Sequence, residues 1–149
     1  MAIQVNKITP FLWFDGNAEE AVDFYLSVFP NSKKTGGLPG PGGKALTVSF
    51  DLEGLNFTAL NAGPQWKFNK AVSFVIHCKD QAEIDYYWDK LSADGGTEIQ
   101  CGWVDDKFGL AWQVVPDNIF HLLKHPKAME AMMKMKKFII ADLEAAAKG

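Results

Sequence analysis

Between Lys7 and Phe14 the chain reads KITPFLWF, an aromatic and β-branched run ending at Asp15-Gly16, and this predicts a strand closed by a turn. The apolar spacing then changes. Ala21, Phe24, Tyr25, Val28 and Phe29 recur at three and four to form one helical stripe, with Asn17 and Glu20 in capping-box spacing before it and Pro30-Asn31 after it. Residues 35 to 43, TGGLPGPGG, hold five Gly and two Pro in nine positions and predict a mobile surface loop. Two strands follow at about 44 to 51 (KALTVSFD) and 55 to 61 (LNFTALN), joined by a tight Glu53-Gly54 turn. Residues 62 to 70, AGPQWKFNK, are polar and turn-rich apart from Trp66 and Phe68, and read as a linker.

After the linker the order of events repeats. AVSFVIHC (71 to 78) is strand-like; Asp80 and Glu83 restate the capping-box spacing; Ile84, Tyr87, Trp88 and Leu91 form a helical stripe that ends at Asp94-Gly95-Gly96. Strands are expected again at about 97 to 104 (TEIQCGWV) and 110 to 116 (LAWQVVP), with Asp105 to Gly109 as the turn. At an offset of 63, Phe11 meets Phe74, Asn17 and Glu20 meet Asp80 and Glu83, and Ala21, Phe24, Tyr25 and Val28 meet Ile84, Tyr87, Trp88 and Leu91. At an offset of 55, Gly54-Leu55-Asn56-Phe57-Thr58 meets Gly109-Leu110-Ala111-Trp112-Gln113. The repeat predicts two strand-helix-strand-strand-strand modules, 5–62 and 70–116, within a single domain 1–149. Residues 117–149 form a helical tail, in which Ala128, Met129, Met132 and Met133 recur at helical spacing and four of the five methionines lie. Such a tail can pack on its own domain or serve as an adaptable docking face.

Composition narrows the partners. The 149 residues are 48% hydrophobic and 22% charged, with 15 lysines, no arginine and a formal net charge of -3. That balance disfavours nucleic acid, whose recognition leans on positive charge and on the bidentate guanidinium fork. No apolar run reaches the roughly 18 residues of a membrane span. MAIQVNKITP lacks the pattern of a secretory signal, and the two cysteines, Cys78 and Cys101, could form at most one bridge, so a cytoplasmic protein with free thiols is expected.

Candidate chemistry is sparse. His77 near a strand end reads as a structural or exposed histidine, and His121 with His125, four apart before Pro126, lacks a third zinc ligand nearby. Asp105 and Asp106 read as solvated turn residues. GGLPGPGGKA fails as a phosphate loop, because Leu38 stands where a Gly is required and Ala45 follows Lys44 in place of Ser or Thr. Neither cysteine has an adjacent base or a CxxC partner.

The runs ITPFLWFDGNAEEAVDFYLSVFPNS, FTALNAGP, CGW, DKFGLAWQVVP and AMMKMKK resemble the PhnB-like branch of the vicinal oxygen chelate (glyoxalase/bleomycin resistance/dioxygenase) superfamily, whose family models carry the name 3-demethylubiquinone-9 3-methyltransferase. The resemblance implies an α+β fold, two tandem βαβββ modules whose mixed sheets curl into a cup, usually in a homodimer, with the C-terminal helices added. It also implies that metal ligands, where present, come from the first and last strands of each module. Here those places are Pro10, Thr58, Ser73 and Gln113, and a proline, two hydroxyls and an amide are poor donors for a divalent ion. No metal, no cofactor and no catalytic residue is therefore assigned. A methyltransferase would need a Gly-rich strand-to-helix turn in a parallel sheet, for which this pattern has no place. Strand alternation puts Ile8, Pro10 and Leu12 opposite Phe11 and Trp13, and Ser73 and Val75 opposite Phe74 and Ile76, with the first set of each expected to face the cup. The expected ligand-binding residues are Pro10, Leu12, Thr58, Ser73 and Gln113, with Trp66 and Trp103 as walls, around a small, mostly apolar or aromatic molecule. The alternatives are a lyase, isomerase, dioxygenase or transferase of the superfamily, and an interaction module acting through the Met-rich tail.

Overall fold

A computed structural model describes residues 6–149, so the expected module start at residue 5 lies outside the described residues. The chain divides into two compact units, one ending at Lys67 and one beginning at Phe68. The first holds β1 (Phe11–Phe14), α1 (Ala18–Val28), β2 (Ser32–Pro39), β3 (Ala45–Leu52) and β4 (Leu55–Asn61). Its four strands make one sheet in the order β1-β4-β3-β2, with β1 parallel to β4 and the remaining pairs antiparallel. The helical stripe seals one face. Ala18, Ala21, Val22, Tyr25 and Val28 of α1 are buried, and the buried Phe50 ring stacks on Tyr25 at 6.2 Å and on Phe57 at 5.3 Å between centroids. A side chain of that size, once buried, contributes roughly 1.5–3 kcal/mol.

β2 runs through the segment expected to be a loop. Its glycines suit an exposed sheet edge with irregular pairing: the register slips between Lys34 and Gly36 and again between Leu38 and Pro39. At Gly37 the backbone is left-handed (φ 154°), and a Cβ there would collide with the Thr47 carbonyl oxygen. Composition reads such a strand as a loop because bulge and close approach call for the same residue as a turn does.

The second unit repeats the plan with β5 (Ser73–Cys78), α2 (Gln81–Ser92), β6 (Thr97–Glu98), β7 (Trp103–Asp105) and β8 (Ala111–Pro116), in the sheet order β5-β8-β7-β6. Again the first and last strands pair in parallel. α2 buries Ile84, Tyr87, Trp88 and Leu91, the four residues of its expected stripe. The strand expected over 97 to 104 is two short strands, because Cys101 (φ 57°) and Gly102 (φ 80°) turn the chain between them.

Three helices follow: α3 (Ile119–Leu122), α4 (Pro126–Met133) and α5 (Ile140–Lys148). They pack on their own unit. The Cys101 and Gly102 amides donate to the Met135 and Lys136 carbonyls, both at 2.8 Å, and the buried Phe138 ring covers Gly102. Gln81, the first residue of α2, donates to the Phe138 carbonyl at 2.9 Å and accepts from the Ile140 amide at 2.8 Å. Among the described residues no helix is long and apolar enough to cross a membrane.

Candidate functional site

In each unit one sheet face carries the helix and the other does not; strand pairing decides which side chains lie on the helix-free face, since directly opposed residues share a side. In the second unit Trp103 opposes Gln113, which opposes Val75, and Asp105 opposes Ala111, which opposes Ser73. These six residues form two rows across β7, β8 and β5. The half-buried Phe74 and the buried Trp112, 5.7 Å between ring centroids, lie on the other side with the buried Val104 and Val114. Gln113 Nε2 donates to Ser73 Oγ at 2.9 Å, so the amide oxygen of Gln113 and the hydroxyl hydrogen of Ser73 are left as one acceptor and one donor. Beside this pair Trp103 presents a half-buried indole. Ser73, Gln113 and Trp103 thus share one face.

The first unit differs by one residue. Phe11, not Pro10, opposes Thr58, and Ser49 opposes Thr58 from the other side, with the two hydroxyl oxygens 3.3 Å apart. Phe11, Trp13, Thr58, Leu60, Ser49 and Thr47 therefore occupy the helix-free face. Leu12 opposes Ala59 and is buried on the helix side, the reverse of the side expected for it. Pro10 precedes the strand, and its carbonyl accepts from the Thr58 amide at 3.0 Å. Trp66, on the segment that follows β4 in the chain, is exposed. The reason for the reversal is local: three residues separate β1 from α1 and only two separate β5 from α2, and the extra residue is accommodated at Gly16 (φ 80°). An offset taken from the helix caps is thus one short in the strands, and a shift of one reverses every side chain.

The paired aspartates have different fates, and neither is a free turn residue. Asp106 is buried, and its Oδ1 accepts from the Phe108 and Leu110 amides at 2.8 and 3.1 Å while Oδ2 accepts from the Trp112 indole at 2.9 Å. Asp105 belongs to β7, where Oδ2 takes a 2.6 Å ion pair from Lys70 and Oδ1 is buried without a hydrogen-bond partner among the described residues. Two-residue alternation from Trp103 would have put Asp105 on this face; treating it as the start of the turn hid it.

No three His, Cys, Asp or Glu side chains gather among the described residues. The places that superfamily resemblance marks for ligands hold Phe11, Thr58, Ser73 or Val75, and Gln113, a donor set that does not fit a divalent ion. His77 shares the helix-free face, opposed to Val115. His121 and His125 do not share a helix, since α3 ends at Leu122 and α4 begins at Pro126; their rings meet edge to face at 6.2 Å. Burial pushes the Cys78 thiol up to about 12, with Glu83, Asp117 and Asp80 adding to the effect, so it stays protonated at neutral pH. Cys101 is half-buried, with Sγ 4.0 Å from Met133 Sδ.

The family model described as 3-demethylubiquinone-9 3-methyltransferase matches residues 6–115, covering both modules and stopping before the tail. The chain belongs to that family. A PhnB protein from Bacillus cereus is 31% identical, with a TM-score of 0.67 over 74% of this chain and 99% of that one. Two more distant structures share the fold. A Pseudomonas aeruginosa protein is 21% identical with a TM-score of 0.63, covering 75% and 98% of the respective chains. The fosfomycin resistance protein FosX from Mesorhizobium loti is 9% identical with a TM-score of 0.60, covering 82% and 99%. The fold is therefore that of the glyoxalase/bleomycin resistance proteins, and the chain is PhnB-like. No curated protein matches. The family description mentions methyl transfer, yet each described sheet has a single parallel pair and neither is the doubly wound parallel sheet of dinucleotide-type sites.

Proposed function

We propose that this PhnB-like protein binds a small, mostly apolar or aromatic molecule on its helix-free sheet faces, without a metal ion. The observation that supports the reading best is the Gln113–Ser73 hydrogen bond beside Trp103: a few oriented neutral polar groups next to an aromatic wall is the composition of a small-molecule site. Thr58 and Ser49, flanked by Phe11 and Trp13, offer a second surface of the same character. The reading includes a homodimer in the cytoplasm. Native mass spectrometry of the protein purified from its own cytosol without chelator tests all of these together. A dimer carrying extra organic mass and no metal is expected. A stoichiometric divalent ion would overturn the metal-free reading in favour of a superfamily lyase, isomerase, dioxygenase or transferase, and a bare monomer would overturn the dimer.

A further inference from the structure

Asp105 has a counterpart in the first module. Asp51 opposes Asn56 as Asp105 opposes Ala111, so the two carboxylates occupy the same sheet position, just before the turn into the last strand. Their employment differs. Asp51 Oδ1 accepts from the Gly54 amide at 2.7 Å and so closes the two-residue Glu53-Gly54 turn. The turn of the second module is one residue longer and is closed by Asp106, whose Oδ1 accepts from the Phe108 and Leu110 amides. Asp105 is thereby released from turn duty and stays on the helix-free face. Its Oδ1 is buried and accepts no hydrogen bond among the described residues, a costly position for a carboxylate oxygen.

The neighbours define what would fill it. Ala111 puts only a methyl group between Asp105 and Ser73, and Trp103 stands two residues back along the same strand, about 7 Å away. Lys70 already supplies the positive charge to Oδ2, so a second cation at Oδ1 would meet a like charge, whereas a neutral O–H or N–H donor would not. The Lys70 side chain is about half exposed and has no other polar contact among the described residues, so its ammonium is committed to Oδ2 and leaves Oδ1 to a different donor.

We infer that Asp105 is the polar anchor of the second module's face, its Oδ1 accepting a hydrogen bond from a neutral hydroxyl or N–H donor on a flat aromatic ligand that lies against Trp103. This rests on the small-molecule reading above and names the ligand class: phenol-like or N–H heteroaromatic, and not a quaternary or fully alkylated analogue.

The test uses the full chain labelled with nitrogen-15 and two probes of similar shape, phenol and its methyl ether anisole, titrated while the amides of residues 103–113 and the Trp103 indole are followed. Phenol is expected to shift those signals and to bind roughly tenfold more tightly than anisole. Asp105→Asn keeps the shape. Lys70 is only a donor, so it holds the new carbonyl at the Oδ2 place and leaves an NH2 group at the Oδ1 place; the preference for phenol should vanish or reverse. Equal binding of the two probes to the unmodified protein, or an Asn variant that keeps the preference, overturns the anchor and leaves the small-molecule reading standing. If neither probe shifts these signals, both fail.

Discussion

The two modules are built to one plan; beyond the shorter middle of the second, where β6 has two residues against eight in β2, they differ at two connections by a single added residue. Gly16 lengthens the step from β1 to α1, and the β7–β8 turn is one residue longer than Glu53-Gly54. Neither change alters the sheet order or the helix stripe. Both change what a particular side chain is free to do. The first sets which face of β1 looks away from the helix, and the second moves turn closure from the aspartate on the sheet face to the one behind it. In a duplicated fold, core positions follow the repeat, whereas site residues follow the lengths of the loops.

The helix caps show the same divergence. Asp80 accepts from the Glu83 amide at 2.9 Å as expected, and Glu83 reaches back one residue beyond the cap, accepting from the Lys79 amide at 3.1 Å in place of the Asp80 amide of a regular capping box. Asn17 makes no such bond. In its module Asn61, at the end of β4, accepts from the Ala18 amide at 2.9 Å and donates to the Ala45 carbonyl at 2.9 Å, so the strand caps the helix from outside.

The largest expected contrast between the modules lies at the turns. Asp106→Ala strips acceptors from two amides and a buried indole N–H and should cost about 3–5 kcal/mol in urea unfolding. Asp51→Ala removes one exposed bond and should cost less than about 1 kcal/mol. Equal losses would mean that turn closure is not divided in this way. At the caps a smaller gap is expected: Asp80→Ala should cost about 1 kcal/mol, while Asn17→Ala should leave the unfolding midpoint nearly unmoved and Asn61→Ala should take its place.

The smallest effect concerns the tail, which has no counterpart in the first module. Hydrogen bonds from Lys137 and Gln81 hold the Asp85 carboxyl below its ordinary value of 3.8. A carboxyl lowered by folding stabilises the folded state above its unfolded value, and that contribution fades as pH falls through the lowered one. Acid should therefore loosen the tail. Asp85→Asn should flatten the pH dependence of tail protection in hydrogen exchange below about pH 4 and leave neutral-pH stability almost unchanged, since the pair is exposed.

Much of this was legible in the chain itself. The stripe Ile84, Tyr87, Trp88 and Leu91 is buried as its spacing demands, and the Gly54-Leu55 and Gly109-Leu110 anchors lead into the last strands of the two sheets. Ser73, Gln113 and Trp103 fall on one face because alternation within a strand is robust. What escaped depended on backbone geometry that residue type does not encode uniquely. Gly36 and Gly37 serve a strand edge as readily as a loop, Cys101 and Gly102 break a stretch that looks like one strand, and Gly16 absorbs the residue that reverses Leu12. Asp105 escaped because the turn begins one residue later than its composition suggests.

The parallel closure of each sheet also sets an order in time. Phe11 waits for Thr58 and Ser73 for Ala111, so neither module can complete its sheet until its last strand has been made. A growing chain can close the first unit once Asn61 is available, before any of the second exists. Each holds the pairing edge of its first strand unpartnered while its helix and middle strands are added, and the second must in addition wait for the cover of Phe138 and Leu143. Parallel pairing across such separations is slow to form and exposes edges meanwhile. Newly made second modules, more than first ones, are therefore the species that would need protection from aggregation.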